Sequence, residues 1–213
     1  MASTCRVVVL ISGKGSNLQA ILDASHENDY PAEVVAVISN KPDAYGLERA
    51  KAAGIPTQVI EHHRYPDRDS YDQALIQAID HYQPDLVVLA GFMRILSDAF
   101  VQHYANRLIN IHPSLLPKYK GLHTHQRVLD GGDKQHGASV HFVTPSLDDG
   151  PLILQSAIDV QPDDTAASLA TRVHAIEHLI YPQAIRWFAE GRLSLRGNCV
   201  YLDNNAVKPE AGT

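Results

Sequence analysis

The sequence predicts an α/β fold: an open, mostly parallel twisted sheet with helices on both faces, plus antiparallel strands in its C-terminal part. In the first half of the chain, short and almost wholly apolar runs alternate with segments of helical spacing, which is typical of parallel strands covered on both faces. In the second half, two apolar runs are joined by the short turn TPSLDDG, which indicates an antiparallel pair.

Five strands are expected in the first half of the chain. They are RVVVLIS, EVVAVIS, TQVIE, DLVVLAG and RLINIH, at residues 6–12, 33–39, 57–61, 85–91 and 107–112. The intervening segments SNLQAILDAS, AYGLERAKAAG and DRDSYDQALIQAIDHY have helical periodicity, and the first of them places Leu18, Ile21 and Leu22 on one stripe. Because ligands of such sheets bind beyond the carboxyl ends of the strands, the polar loops after the first, fourth and fifth strands are the expected site.

The second half contains the antiparallel pair, at residues 136–143 and 151–160, and then a long helix. This helix is expected to begin at its N-cap Thr165 and to stop at Gly191, with Pro182 kinking or dividing it. RLSLR and CVYL are two short closing runs. We expect a single domain at residues 1–204, with a phosphate-binding half at about 1–105, a catalytic half at about 106–204, and a flexible tail at 205–213.

The composition argues against several classes of protein. The chain has 213 residues and a net charge of −6, and no apolar run approaches the roughly 18 residues that span a bilayer, so no nucleic-acid or membrane partner is expected. Cys5 and Cys199 lie at opposite ends, without a CxxC motif or a secretory segment, which favours a cytoplasmic location. The expected partners are small molecules, and the expected state is a monomer or a weak homodimer.

The first polar loop, SGKGSN, indicates a phosphate site. It follows a strand and opens a helix, where glycines let backbone N–H groups approach an anion and the helix terminus adds about half a positive charge. Leu18 stands where a dinucleotide fingerprint has its third glycine, and the second strand ends in Ser39 and Asn40 rather than in an acidic residue. The Gly-Lys-Ser/Thr ending of an NTP-binding loop is also absent. We therefore expect a single phosphate group, not NAD or ATP. The alternative is a tight turn capped by Ser16 or Asn17.

The end of the fifth strand carries two polar residues, Asn110 and His112. Alternate residues of a strand face the same way, so this amide and this imidazole are expected to share a face. The later turn SLDDGP carries Asp148 and Asp149, and one carboxylate beside His112 would make an acid–base couple suited to acyl transfer through an oxyanion. Taken singly, these residues are also consistent with a capped strand end, a buried histidine and an ordinary acidic turn. No GxSxG motif is present, so no covalent intermediate is expected.

Other polar clusters are less informative. The chain has 12 histidines, but neither HExxH nor a Cys/His cluster of firm spacing, so no metal is expected. A positive edge near the site either attracts an anion or is an ordinary exposed face; it consists of Lys118, Lys120, His123, His125 and Arg127.

Three motifs in order, AGFMRIL, IHPSLLPKYKG and SLDDGP, resemble the folate-dependent formyltransferases. NIHPSLLP with a later LDxGP is specific to that superfamily, and SGKGSNLQAI narrows the resemblance to the branch that formylates glycinamide ribonucleotide (GAR). The resemblance extends over residues 6–203. It implies a Rossmann-like formyltransferase fold, a folate pocket in the C-terminal half, and 10-formyltetrahydrofolate as the co-substrate, without a metal.

The resemblance also implies roles for individual residues. The catalytic trio of the family corresponds to Asn110, His112 and Asp148. The GAR-binding residues correspond to Gly15, Ser16 and Asn17 at the phosphate, and to His174 and Glu177, of which Glu177 matches the ribose-binding acid. The folate-binding residues correspond to Arg68, Met93, Arg94, Ile95, Leu96, Asn110, Thr144, Pro145, Ser146, Leu147 and Asp148. Two positions depart from the family: Lys14 replaces a frequent asparagine and His174 replaces a glutamine. From the residues alone, Glu177 is only a solvated helix residue.

The implied reaction is transfer of a formyl group from 10-formyltetrahydrofolate to the amine of GAR, in de novo purine biosynthesis, by direct attack through a tetrahedral intermediate and with no covalent enzyme adduct. Three alternatives are weaker. A formyltetrahydrofolate hydrolase usually has a regulatory domain before its first strand, which here begins near Arg6. A methionyl-tRNA formyltransferase needs a further C-terminal domain and a basic surface. A phosphosugar-binding module leaves the catalytic trio unexplained.

Overall fold

A computed structural model describes residues 4–209 of the chain. The chain forms two compact units, Met1–Asn110 and Ile111–Thr213. The sequence predicted two halves of one domain that meet near residue 105, whereas the boundary between the observed units lies inside the fifth strand, β5 (Leu108–His112).

The first unit is a parallel sheet with helices between its strands. The strands are β1 (Cys5–Ile11), β2 (Ala32–Ser39), β3 (Thr57–Val59), β4 (Leu86–Leu89) and β5, and they lie in the order β3-β2-β1-β4-β5 with every pair parallel. The helices are α1 (Ser16–Ser25), α2 (Gly46–Ala52), α3 (Arg68–Asp80) and α4 (Asp98–His103), with a 3₁₀ turn at His62–Arg64. The five predicted strands are confirmed. α4 and the 3₁₀ turn were missed, since six and three residues are too few to show a helical stripe.

The strand order explains where a ligand site can form in this unit. From β1 the chain moves outward through β2 and β3, and it then returns to the other side of β1 with β4 and β5. The loops after β1 and β4 therefore lie at a topological switch point, where sheets of this kind bind ligands. Consecutive residues of β1 and β4 are buried, so both faces of these strands are covered. α1 buries Leu18, Ile21 and Leu22, the stripe that the sequence predicted.

The second unit contains the antiparallel strands. Its elements are α5 (Thr124–Gly131), β6 (Gln135–Phe142), β7 (Leu152–Asp159), α6 (Ala166–Ala189), β8 (Leu193–Arg196), β9 (Cys199–Leu202) and β10 (Asn205–Ala206). β6 and β7 pair antiparallel, and β8, β9 and β10 form a small antiparallel sheet. The predicted fold class, a mostly parallel α/β sheet with antiparallel strands in the C-terminal part, is confirmed. α5 was not predicted.

The long helix α6 begins and ends as the sequence predicted. The Thr165 side chain accepts a hydrogen bond from the backbone N–H of Ser168 at 3.1 Å, and the Thr165 N–H donates to the Ser168 hydroxyl at 2.9 Å, which completes a capping box. After the helix, Gly191 has φ +68 and its N–H donates to the Phe188 carbonyl at 2.9 Å. Pro182 lies inside the helix, which continues through it and is not divided.

The predicted flexible tail at residues 205–213 is wrong at its start. Asn205 and Ala206 form β10 against β9, and the N–H of Val207 donates to the Val200 carbonyl at 2.8 Å. Residues 210–213 lie outside the described part of the chain. Within residues 4–209, no helix combines the length and the apolar composition that crossing a membrane requires.

Candidate active site

The SGKGSN loop leaves the start of α1 open to an anion. The N-cap of α1 is Gly15, in the left-handed region at φ +71, and it supplies no side-chain hydrogen bond to the helix. The alternative caps considered from the sequence, Ser16 and Asn17, lie instead inside the first helical turn. The N–H groups of a first turn have no acceptor within their own helix, and together with the helix dipole they form an anion site.

The backbone of this loop is held in place by α2. A Cβ atom on Gly15 would lie 2.6 Å from the Gly46 Cα, so the loop and α2 meet backbone to backbone. The Gly46 N–H donates to the Gly13 carbonyl at 3.0 Å, and the Arg49 Nε donates to the Lys14 carbonyl at 2.9 Å. The loop is therefore a preformed cradle, and Gly15 is required both by its backbone conformation and by its packing.

The second polar loop, Met93 to Leu96, is anchored at both ends. At one end, the Ser12 hydroxyl donates to Asn40 Oδ1 at 2.6 Å and accepts from the Met93 N–H at 2.8 Å. At the other end, Asp72 Oδ2 accepts from the Ser97 N–H at 2.6 Å. Burial raises the pKa of the Asp72 carboxyl, and the hydrogen bonds from Ser97 oppose that rise. Both anchors are buried, so the loop backbone has a fixed position.

Large side chains of this loop remain exposed although its backbone is fixed. Met93 and Ile95 are 64% and 65% exposed, and exposed apolar side chains on a fixed loop are typical of a ligand surface. The guanidinium carbon of Arg94 lies 5.6 Å from the ring centroid of Tyr71. Arg68 is the first residue of α3.

β5 presents Asn110 and His112 as the sequence predicted. Asn110 pairs in register with Leu89 of β4, is partly buried, and is the last residue of the first unit. His112 follows two residues later on the same strand, so the two side chains leave the backbone toward the same face. The side chain of His112 is only 7% exposed.

In the second unit His112 forms a couple with Asp148. The Nδ1 atom of His112 lies 3.4 Å from Asp148 Oδ2, and its Nε2 lies 2.9 Å from the Tyr119 carbonyl oxygen. Both ring nitrogens of His112 therefore face oxygen atoms that can accept a hydrogen bond. The sequence alone left open which carboxylate pairs with His112. Asp148 does so, while Asp149 forms an ion pair with Lys120.

Two further contacts fix the Asp148 carboxylate. Its Oδ2 accepts from the Gly121 N–H at 3.0 Å, and its Oδ1 lies 3.9 Å from Nε2 of His141. His141 in turn donates from Nδ1 to the Phe142 carbonyl at 2.8 Å. Burial lowers the pKa of His141, while the Phe142 carbonyl and Asp148 act in the opposite direction. A Cβ atom on Gly150 would collide with the Phe142 carbonyl, so this glycine lets the turn approach the strand.

The positive edge predicted from the sequence is largely paired within the second unit. Lys118 bonds Asp133 at 3.1 Å, Lys120 bonds Asp149, and Arg127 bonds the carbonyl of Lys120. These cations are thus engaged by protein groups, and the structure does not support a separate anion-attracting surface formed by them.

The buried His136 and the partly buried His125 face each other in the second unit. Nδ1 of His125 lies 3.0 Å from Nε2 of His136, so one ring must be a neutral acceptor. Burial lowers both pKa values, that of His136 to about 4, and His112 adds to the effect on each. His136 was not predicted as part of the site, because a histidine at the start of a strand gives no sign of its partner.

On α6, His174 is exposed and stacks on His178, with the ring centroids 6.4 Å apart. Glu177 is only 3% exposed, so the interpretation as a solvated helix residue is wrong. Carboxylates are almost never buried to this extent unless they are paired, which makes Glu177 a candidate functional residue.

The turn that carries Asp148 also exposes the remaining predicted folate residues of this unit. Leu147 is 58% exposed, and the Thr144 hydroxyl is 3.4 Å from the Ser146 carbonyl. The sequence reasoning missed His141 of β6, whose ring lies beside Asp148 only in the folded structure. No group of three or more His, Cys, Asp or Glu side chains among residues 4–209 is placed to hold a metal ion.

Comparison with known proteins identifies the family of the chain. The formyl transferase family model matches residues 5–185. The chain is 56% identical over 204 residues to the phosphoribosylglycinamide formyltransferase of Escherichia coli K12, covering 96% of each protein. Solved structures of the phosphoribosylglycinamide formyltransferase of Coxiella burnetii and of glycinamide ribonucleotide transformylase 1 of Symbiobacterium toebii have TM-scores of 0.92. Their identities are 54% and 47%, and coverage is 96% and 95% of each chain. The chain therefore belongs to the formyl transferase family.

Proposed function

We propose that this chain transfers the formyl group of 10-formyltetrahydrofolate to the primary amine of GAR, giving formyl-GAR and tetrahydrofolate in purine biosynthesis. The observation that carries the proposal is the buried couple of His112 and Asp148, with Nδ1 and Oδ2 3.4 Å apart, two residues after Asn110 on one strand. The relatives named above are GAR formyltransferases, which supports this acceptor over others.

The proposed chemistry begins with attack of the GAR amine on the formyl carbon, which places negative charge on the formyl oxygen. The amide of Asn110 and the Nε2–H of His112 stabilise this oxyanion by hydrogen bonds. In the structure this N–H donates to the Tyr119 carbonyl, so it exchanges that acceptor for the oxyanion. No covalent bond to the protein is required.

Asp148 completes the reaction by handling a proton. Attack makes the amine nitrogen positive, and the carboxylate accepts its proton, directly or through water. The proton then passes to the folate nitrogen as the bond from that nitrogen to the formyl carbon breaks. Asp148 also orients His112, because its Oδ2 faces the imidazole Nδ1 at 3.4 Å.

The proposed substrate contacts follow the elements of each unit. In the first unit, the open first turn of α1 at Gly15, Ser16 and Asn17 binds the GAR phosphate, with Lys14 adding positive charge. In the second unit, Glu177 accepts hydrogen bonds from the ribose hydroxyl groups, and the exposed His174 contacts the same substrate.

The folate is proposed to contact the two loops with exposed apolar side chains. In the first unit these are Met93 and Ile95, with Arg94 and Leu96 supplying backbone groups and Arg68 near the glutamate tail. In the second unit the contacts come from the turn formed by Thr144, Pro145, Ser146, Leu147 and Asp148.

One assay separates this proposal from its rivals. The protein is mixed with 10-formyltetrahydrofolate with and without GAR, and both tetrahydrofolate and formyl-GAR are quantified. Formation of both products only when GAR is present supports the proposal. Folate release without GAR would identify a hydrolase, and no turnover would favour a binding module.

The remaining parts of the proposal concern the setting of the enzyme. Its partners are the two small-molecule substrates, and it acts as a monomer or weak homodimer, which sedimentation measurements test directly. Cys5 and Cys199 are both free thiols, in agreement with a cytoplasmic location. Burial raises the pKa of the Cys5 thiol to about 12, which disfavours its thiolate form.

A further inference from the structure

Arg127, an exposed residue of α5, contacts the loop between β5 and α5, whose backbone bonds both His112 and Asp148. Its Nη1 donates to the Lys120 carbonyl at 2.6 Å and to the Leu122 carbonyl at 3.3 Å, and its guanidinium carbon lies 5.3 Å from the ring centroid of Tyr119. The side chain therefore bonds the backbone carbonyls on both sides of Gly121.

A single peptide group connects this guanidinium to Asp148. The carbonyl of Lys120 and the N–H of Gly121 belong to the same peptide plane. The carbonyl accepts from Arg127, and the N–H donates to Asp148 Oδ2 at 3.0 Å. A cation that bonds the carbonyl end polarises the N–H end and fixes the direction in which it points.

The backbone of this loop needs such a restraint. Tyr119 and His123 have φ values of +56 and +58, a backbone region that residues other than glycine rarely adopt, and Gly121 has φ +80. Strained conformations of this kind persist only where neighbouring groups hold them. Arg127 contacts the loop at three of its residues.

We propose that Arg127 is a positioning residue for Asp148, acting through the Lys120–Gly121 peptide. This inference rests on the proposed formyl transfer. Arg127 does not touch the reacting atoms; it sets the position of the N–H that holds the carboxylate, and hence the geometry of the carboxylate beside His112.

The test compares Arg127→Met, which keeps the stem but removes the donors, with Gln126→Met at the neighbouring exposed position. Gln126 bonds only Asp130 on its own helix, at 2.8 Å. For Arg127→Met we expect kcat to fall roughly 10-fold with both KM values within about 2-fold, because misplaced catalytic groups affect the transition state most. Gln126→Met should match the wild type, and Arg127→Lys should lie between.

A double mutant distinguishes positioning from a general structural role. If Arg127 acts through Asp148, adding Arg127→Met to Asp148→Asn should cost less than about 2-fold more in kcat. Amide hydrogen exchange at Gly121, measured without substrates, should accelerate in Arg127→Met and not in Gln126→Met. This readout needs no turnover, so it tests the contact even if the protein does not transfer formyl groups. Unchanged kcat or unchanged Gly121 exchange in Arg127→Met, or fully additive losses in the double mutant, would overturn the proposal.

Discussion

The role of Asp148 can be tested with a substitution that the backbone tolerates. Asp148 has φ +48, and asparagine is among the few residues that adopt this region readily. Asp148→Asn therefore keeps the size of the side chain and an oxygen that can accept from the Gly121 N–H. It removes the negative charge beside His112 and the proton acceptor. The change isolates the chemistry from the fold.

The size of the effect follows from the distance between the two side chains. Unit charges 3.4 Å apart interact by about 5 kcal/mol at an effective dielectric constant of about 20. We expect kcat to fall by roughly 10²–10⁴, which corresponds to about 2.7–5.4 kcal/mol and is comparable to that energy. The KM values should change far less, because the interaction matters mainly in the transition state.

The assay is steady-state turnover with both substrates varied over a range of pH. Asp149→Asn is the matched control, since Asp149 occupies the same turn but pairs only with Lys120 and is more than half exposed. It should stay close to the wild type, and the pH profile of Asp148→Asn should lose or shift one limb. His112→Asn should be similarly impaired, and the double mutant should lose less than the sum of the two. Near-normal turnover in Asp148→Asn would show that Asp148 has no part in the mechanism and is an ordinary turn residue.

Three further predictions concern phosphate binding, helix capping and pH. Ser16→Asp suits the start of α1 but repels an anion, so the KM for GAR should rise at least about 10-fold. The uncharged control Ser16→Asn should have little effect. A change confined to the KM for folate would contradict the phosphate site. Thr165→Ala removes a cap and should lower the free energy of unfolding in urea by about 1 kcal/mol, against less than about 0.5 for the mid-helix control Thr171→Ala. Burial lowers the pKa of His136 from 6.5 to about 4, so the unfolded chain binds the proton more tightly than the folded one. The free energy of unfolding should therefore be highest above about pH 6.5 and fall by up to about 3 kcal/mol towards pH 4, and His125 should add to the loss. His136→Gln should flatten this pH dependence. An equally steep curve in His136→Gln would refute the prediction.

The candidate site was predictable where the signal is local in sequence. The spacing of SGKGSN between a strand and a helix indicates an anion site, because a strand end followed by a helix start places backbone N–H groups together. The same holds for Asn110 and His112, whose common face follows from the two-residue repeat of a strand. Glu177 differs. Nothing near it in the sequence distinguishes a buried carboxylate from a solvated one, and only the resemblance to a family selected it.

By itself, the sequence determined the alternation of strands and helices, the antiparallel pair, the ends of the long helix and the position of the polar loop before α1, since each depends on hydrophobic periodicity or on capping residues a few positions apart. The tertiary structure alone decided which carboxylate faces His112, that His141 lies beside it, and that the lysines of the positive edge are paired. It also decided that Arg127 bonds the carbonyl of the Lys120–Gly121 peptide, whose N–H donates to Asp148. These contacts join residues that are far apart in the chain or lie in irregular loops. Their geometry depends on backbone conformations, such as the positive φ of Tyr119 and Asp148, that are stabilised only by the packed neighbours of the folded protein.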